Sequence, residues 1–139
     1  MTGLVSRPDV VIDTSALIAI LLGETESESM VDAIGRANVR AIAAPTLVEA
    51  AAVIHARSGP GGEVALDALI QRLGIEVVAM TPEAAASARM GYARFGKGIG
   101  DPAVLNYGDC LAYGVAQSLG EPLLFKGEDF ARTDVTPAM

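Results

Sequence analysis

The sequence has few of the side chains on which thiol and histidine chemistry depend. Its 139 residues include one cysteine and one histidine. A single cysteine, Cys110, cannot form an internal disulfide or a thiolate cluster for zinc or iron–sulfur, which suits a reducing cytoplasm. A single histidine, His55, excludes catalysis by a pair of histidines that act as general acid and general base.

Long hydrophobic runs and a basic excess are also missing. The longest apolar stretch, residues 10–22, contains Asp13 and is shorter than the ~20 residues that a membrane helix needs. No export signal is visible, so we predict a cytoplasmic protein without a membrane segment. The formal net charge of −7 argues against general attraction to nucleic acid. Divalent ions would reverse the local field, however, if several of the 17 acidic residues converged on one site.

The chain as a whole is rich in apolar residues and poor in charged ones. Hydrophobic residues make up 51% of the chain and charged residues 19%, which excludes a disordered chain and favours one globular domain. The apolar surplus also predicts that some surface is buried between subunits of a homo-oligomer. We assign residues 1–8 to a flexible N-terminal leader and residues 9–139 to a single domain.

Strand and helix patterns alternate along the chain. Short apolar runs predict strands at residues 10–12, 41–44, 75–80 and 123–126. Helical periodicity and capping signals predict helices from residue 14, over 24–36, from 45 to 59, and over 63–73, 82–95 and 106–119, with a loop at 59–62. This alternation indicates an α/β fold with a mostly parallel sheet covered on both faces, in which ligands bind outside the carboxyl ends of the strands.

Four acidic residues occupy comparable places, each close to a strand end or a helix start. They are Asp13 in VVIDTS, Glu49 in PTLVEAA, Asp109 in LNYGDC and Asp129 in FKGEDF. If these ends lie side by side, like charges converge, and such a cluster either raises carboxyl pKa values or binds cations. Oxygen ligands without cysteine or paired histidine suit Mg²⁺ or Mn²⁺, and paired hard cations are a recurring device for cleaving phosphodiesters.

Each acid alone also has a structural interpretation as a helix cap. Thr46 and Glu49 have the T-x-x-E spacing of a capping box, and Asn106 and Asp109 are similar. Asp13 fits this interpretation less well, because it directly follows a buried strand and a charge at that point needs a partner.

The four acidic blocks resemble those of a known family. VIDTSAL, VEAA, LNYGDCLAYGVA and LLFKGEDF are similar in order and spacing to the motifs of PIN-domain ribonucleases, in particular VapC-type toxins, over about residues 9–136. The resemblance implies a three-layer α/β/α sandwich with a mostly parallel sheet of four or five strands. It also implies an Mg²⁺- or Mn²⁺-dependent endoribonuclease that acts as the toxin of a type II toxin–antitoxin system. Finally, the resemblance implies that the protein forms homodimers and that a cognate VapB-type antitoxin inhibits it by covering the active-site groove.

The same resemblance implies roles for individual residues. Asp13, Glu49 and Asp109 would be the central metal-binding and catalytic acids, and Asp129 would be the fourth. Ser15, Thr14 and Asn106 would support the metal site by hydrogen bonds.

Basic residues offer a second, separate prediction. A rim beside the acidic centre could hold RNA phosphates, although each of these charges alone is also explained as part of a solvated face. The residues of this rim would be Arg89, Arg94, Lys97 and Lys126.

Two other functions remain open from the sequence. A phosphatase could use Asp13 as a covalent nucleophile, but that chemistry usually requires a second acid two residues later, where Ser15 stands. Alternatively, the acids are helix caps, and the protein is a non-catalytic module whose apolar surface binds a helix of a partner.

Overall fold

The core of the protein is one parallel sheet, seen in a computed structural model that describes residues 9–99 and 104–139. Its strands run in the order β3-β2-β1-β4 and are all parallel to their neighbours. The strands are β1 (Val10–Ile12), β2 (Arg40–Ala43), β3 (Glu76–Val78) and β4 (Leu123–Leu124). The chain places β2 and β3 on one side of β1 and then returns to place β4 on the other side. Ligand sites form at such a switch point, outside the strands' carboxyl ends.

Helices cover both faces of this sheet. They are α1 (Thr14–Leu21), α2 (Ser27–Arg36), α3 (Ala44–Arg72), α4 (Pro82–Phe95) and α5 (Tyr107–Leu119). Val10 and Ile12 of β1 face the core formed with α1, α2 and α3, whereas Val11 faces the core formed with α4 and α5. This alternation follows from the two-residue period of a strand. The predicted three-layer α/β/α sandwich, with a four-stranded sheet, is therefore confirmed.

The predicted helix end at Gly59 is confirmed, but the predicted loop at residues 59–62 is limited to that residue. Gly59 has a φ of 66° and a ψ of −158°, outside the helical region, so α3 consists of two helical segments that meet at a bend there. Pro60 follows the bend, so its missing N–H falls in the first turn of the second helical half, where no intrahelical partner is needed. Gly62 packs against the first half, because a Cβ there would lie 2.9 Å from the carbonyl oxygen of Ile54.

Two strands and one helix are shorter than predicted. The predicted strands at 75–80 and 123–126 contain three and two strand residues. β4 ends early because the N–H of Lys126 donates to the Ser15 side chain at 3.0 Å. The helix predicted over 24–36 begins at Ser27, since the N–H of Glu24 donates to the carbonyl of Ala19.

Some predictions fall on residues that the structure does not describe. The N-terminal leader, residues 1–8, is one of them, and part of the glycine-rich loop at 100–103 is another. Within the described ranges, no helix has both the length and the apolar character to cross a membrane.

Candidate metal-binding active site

Three of the four predicted acids line one cleft of about 340 Å³ at the carboxyl edge of the sheet. Asp13 reaches it from the end of β1, Glu49 from the second turn of α3, and Asp109 from the first turn of α5. Thr14, Ser15 and Lys126 line the same cleft. Parallel strands deliver these segments to one edge, so residues far apart in sequence share a site.

Asp13 is the most buried of these acids, with 3% of its surface exposed. Its Oδ2 accepts hydrogen bonds from the N–H of Ser15 at 3.0 Å and from Ser15 Oγ at 2.6 Å. Its Oδ1 is buried and has no hydrogen-bond partner among the described residues. Burial raises the pKa of Asp13 to about 7 against the opposing Ser15 hydrogen bonds, and the charges of Asp109 and Glu49 raise it further. A buried carboxyl group with an unpartnered oxygen is stable only when it is protonated or when it binds a cation.

Glu49 is held by two features of the elements around it. Its Oε1 accepts a hydrogen bond of 2.7 Å from Thr14 Oγ1, at the start of α1. Opposite lies Gly108 in α5, where an ideal Cβ would lie 2.7 Å from Glu49 Cδ and 2.9 Å from Oε1. The absence of a side chain at Gly108 therefore makes room for the carboxylate. Sequence reasoning missed this glycine, and its one signal was a poor helix former in the first turn of a helix.

The capping interpretation of Glu49 is wrong. The helix begins at Ala44, before Thr46, and its N-cap residue Ala43 makes no side-chain capping bond. Glu49 is consequently beyond the first turn and bonds to Thr14 instead. The Thr46 hydroxyl is buried without a partner among the described residues.

Asp109, in contrast, is both a helix cap and a cleft residue. Its N–H donates to Asn106 Oδ1 at 2.8 Å, and its Oδ2 accepts from the N–H of Asn106 at 3.1 Å. Burial raises the pKa of Asp109 to about 6, opposed by the Asn106 hydrogen bond, and the charges of Asp129 and Glu49 raise it further. Asp129, the fourth predicted acid, does not line the cleft; it is exposed just before a turn of 3₁₀ helix, and its charge acts on Asp109.

The donor set fits a hard divalent cation. Its side chains offer oxygen atoms, including the unpartnered Oδ1 of Asp13, and such ligands suit Mg²⁺ or Mn²⁺. No three acidic, histidine or cysteine side chains in residues 9–99 and 104–139 are drawn together tightly enough to enclose an ion. The carboxylates would have to close around a cation, which removes their mutual repulsion.

The four basic residues predicted to form a rim lie at different places on the protein. Lys126 lines the acidic cleft, and its Nζ lies 2.6 Å from Glu24 Oε1. Arg94 pairs with Asp134 at 3.0 Å and stacks over Phe95 at 4.6 Å from the ring centroid.

Arg89 and Lys97 lie elsewhere. Arg89 lines a separate, mainly apolar cavity of about 620 Å³ between α4 and α5, and Lys97 is exposed on the loop after α4. Cys110 lines the same cavity, and burial raises its thiol pKa to about 11, which does not suit a nucleophile. Tyr107, with 77% of its surface exposed, lies between this cavity and a groove that reaches Glu49.

Fold and site together define an α/β protein that collects carboxylates at the switch point of a parallel sheet. The PIN domain family model matches residues 10–135, and the chain belongs to that family. It is similar to VapC ribonuclease Mb0640 of Mycobacterium bovis, with 44% identity over 126 residues, 91% of this chain and 95% of the relative.

Two solved structures share the fold. Mycobacterium tuberculosis VapC20, described as a sarcin–ricin loop cleaving toxin, matches with a TM-score of 0.74 and 17% identity over 92% of this chain and 97% of the other. VapBC2 of Rickettsia felis, bound to a fragment of promoter DNA, matches with a TM-score of 0.70 and 16% identity over 92% and 95%.

Proposed function

We propose that this protein is a divalent-metal-dependent endoribonuclease and the toxin of a type II toxin–antitoxin pair. One observation supports the chemistry above all: the buried, unpartnered Oδ1 of Asp13 in a cleft that it shares with Glu49 and Asp109. The similarity to a VapC ribonuclease at 44% identity supports RNA as the substrate. The single, buried Cys110 is consistent with a reducing cytoplasm.

In this proposal Asp13, Glu49 and Asp109 hold Mg²⁺ or Mn²⁺, and Asp129, whose charge acts on Asp109, is the fourth acid of the site. A bound ion would activate water and stabilise the charge that develops at the scissile phosphate. Ser15 fixes Oδ2 of Asp13, which leaves Oδ1 for the ion.

Two further residues orient the other carboxylates. Thr14 orients Glu49, and Asn106 orients Asp109. Such hydrogen bonds to metal-binding groups set their direction and raise metal affinity.

The phosphatase alternative has less support. A covalent aspartate mechanism needs, besides the nucleophilic carboxylate, an acid to protonate the leaving group. Ser15, at the position of the second acid, instead donates to Asp13.

We also propose that a VapB-type antitoxin and a second copy of this chain bind the toxin. The apolar cavity of about 620 Å³ and the exposed ring of Tyr107 lie beside the groove that leads to Glu49. Apolar surface next to an active site suits a protein that is inhibited by occupation of the groove. The similarity in fold to VapBC2 supports this partner class.

The chemistry is tested with purified protein and single-stranded and structured RNAs. We expect cleavage with Mg²⁺ or Mn²⁺, none with a chelator, and at least about a hundredfold loss in Asp13→Asn and Asp109→Asn. Asp67→Asn, an exposed acid on α3, is the matched control and should cleave normally. Cleavage that survives chelation or both cleft substitutions would refute the proposed metal site.

The toxin role is tested by expression in bacterial cells. We expect growth arrest that Asp13→Asn relieves and that the cognate antitoxin suppresses. A non-catalytic binding module predicts the opposite pattern, in which growth is independent of Asp13 and no RNA is cut in vitro.

A further inference from the structure

Lys126 is tied to the active site through its backbone. Its N–H donates to Ser15 Oγ at 3.0 Å, and Ser15 Oγ donates in turn to Asp13 Oδ2 at 2.6 Å. Two consecutive hydrogen bonds therefore connect the Lys126 main chain with the most buried acid of the site. The base of this side chain is consequently fixed at the cleft.

The ammonium group of Lys126 is held over the cleft by acids from another part of the chain. Its Nζ lies 2.6 Å from Glu24 Oε1 and 3.7 Å from Glu26 Oε1, in the segment between α1 and α2. Glu24 also lines the cleft, and of the described residues that line it, Lys126 is the one cation. The hydrogen bond to Glu24 raises the pKa of Lys126, so the side chain stays charged.

The pairing with Glu24 is easily exchanged. Both side chains remain partly exposed, at 37% for Lys126 and 35% for Glu24, and exposed ion pairs contribute little to stability. A phosphodiester carries the same single negative charge as a carboxylate and accepts the same charge-assisted hydrogen bonds, so Lys126 can exchange Glu24 for an RNA phosphate at little cost. Nothing in the fold of the described core therefore requires the ammonium to stay on Glu24.

An RNA substrate, meanwhile, needs a cation at this place. The cleft is lined by the carboxylates of Asp13, Glu24, Glu49 and Asp109, which repel a phosphodiester. The protein as a whole, at a net charge of −7, does not attract RNA either. A divalent ion held by Asp13, Glu49 and Asp109 would offset part of this repulsion, and Lys126 is the cationic side chain at the cleft that can add to it.

We propose that Lys126 binds a phosphate of the RNA substrate at the cleft, and that Glu24 holds the ammonium in place in the free protein and competes with RNA for it. This inference rests on the proposed ribonuclease function. Lys126 is then a substrate-binding residue, and Glu24 is a positioning residue that sets how readily RNA gains access to Lys126.

A purely structural ion pair makes different predictions. If Lys126 and Glu24 only join the segment after α1 to the end of β4, substitution of either changes stability slightly and leaves RNA affinity unaltered. The two possibilities therefore differ in the sign of the Glu24 effect on RNA binding.

Binding of a fluorescent single-stranded RNA is measured by anisotropy in the Asp109→Asn background, with Mg²⁺ and over a range of salt. We expect Lys126→Ala to weaken binding roughly 3- to 10-fold at low salt and to lower the slope of log affinity against log salt by about 0.7, the value of one phosphate contact. Lys126→Arg should restore both. The control is Arg36→Ala, which should change neither quantity. Arg36 is an exposed cation at the end of α2, before the start of β2 and therefore on the side of the sheet away from the cleft.

Glu24→Gln provides the decisive comparison. We expect it to tighten RNA binding about 2- to 5-fold when Lys126 is present, and clearly less in the Lys126→Ala background, where a repelling charge is lost but there is no lysine to compete for. Glu28→Gln removes the same charge from an exposed site at the start of α2 and serves as control. An equal gain from Glu24→Gln in both backgrounds would mean bulk repulsion and would overturn the proposal, as would unchanged binding in Lys126→Ala.

The failure of this inference is distinguishable from failure of the ribonuclease function. The unsubstituted protein is assayed for RNA cleavage in the same preparation. Cleavage together with Lys126-independent binding rejects the role of Lys126 alone. Absence of both cleavage and RNA binding rejects the two proposals together. Thermal unfolding of each variant verifies that the substituted chains are folded.

Discussion

Gly108→Ala should remove most of the activity without harming the fold. Gly108 lies in the first turn of α5, and the structure leaves no room for a methyl group between it and the Glu49 carboxylate. The nearest obstacle is the end of a side chain and not backbone, so Glu49 is what moves. The substitution therefore acts on a proposed metal ligand through its position alone.

The size of the movement follows from the geometry. An ideal Cβ at Gly108 lies 2.7 Å from Glu49 Cδ, whereas ordinary contact begins at 3.4 Å, so the carboxyl carbon must move by at least about 0.7 Å. A displacement near 1 Å in an active site can reduce the rate on the order of 10²-fold, and metal ligands tolerate only about 0.5 Å. Stability should stay constant or rise by up to about 1 kcal/mol, since alanine is a better helix former than glycine.

The assay combines three measurements on one preparation: RNA cleavage rate, Mn²⁺ affinity by calorimetry, and urea unfolding. Gly35→Ala is the matched control, because Gly35 lies in α2 with no atom within 4 Å of its ideal Cβ. It should show the helix-propensity gain with normal cleavage. Wild-type Mn²⁺ affinity and cleavage in Gly108→Ala would refute the reasoning, since they would mean that the position of Glu49 does not matter.

Three further predictions concern the pH dependence, the packing and the site. The pKa of Asp13 is raised from 3.8 to about 7 in the folded state, so the folded protein binds a proton that the unfolded chain has lost. Metal-free protein should therefore lose stability as pH rises from about 4 to about 7, by up to about 4 kcal/mol from Asp13 alone. Urea unfolding at pH 5 and pH 8 should show a loss that is much smaller in Asp13→Asn, where Asp109, with its pKa raised to about 6, still contributes; an equal loss in both proteins would refute the role of Asp13. Gly114→Ala should destabilise by about 1–3 kcal/mol in the same assay, because its Cβ would lie 2.5 Å from the backbone oxygen of Ala84, which cannot move aside; an unchanged midpoint would contradict the packing. Thr14→Val removes the 2.7 Å hydrogen bond to Glu49 and should weaken Mn²⁺ binding about tenfold by calorimetry, whereas full affinity would show that Thr14 has no orienting role.

Local chemistry predicted several elements closely. Helix α4 begins at Pro82 after the N-cap Thr81 and ends at Phe95, as the capping signals and the following glycine indicate. The start of α5 follows from its Asn106 cap in the same way. These signals act between neighbouring residues, which is why they can be read without knowledge of the fold.

Local sequence signals predicted the wrong element boundaries where contacts with residues distant in sequence outweigh the preferences of neighbouring residues. The Gly-Pro-Gly-Gly sequence at 59–62 is typical of a loop, yet the helical backbone is broken only at Gly59, and a second helical segment begins at once with Gly62 packed closely on Ile54. Likewise, Lys126 leaves the predicted strand because Ser15, more than a hundred positions away, accepts its N–H.

The sequence by itself determined the parallel α/β architecture and the positions of the acids at strand ends and helix starts, because hydrophobic period and capping depend on residues close along the chain. The tertiary structure alone decided which groups meet. It placed Gly108 against Glu49, left Asp13 Oδ1 buried without a partner among the described residues, and set Lys126 on Glu24. Each of these depends on the distance between segments that only the packed sheet brings together.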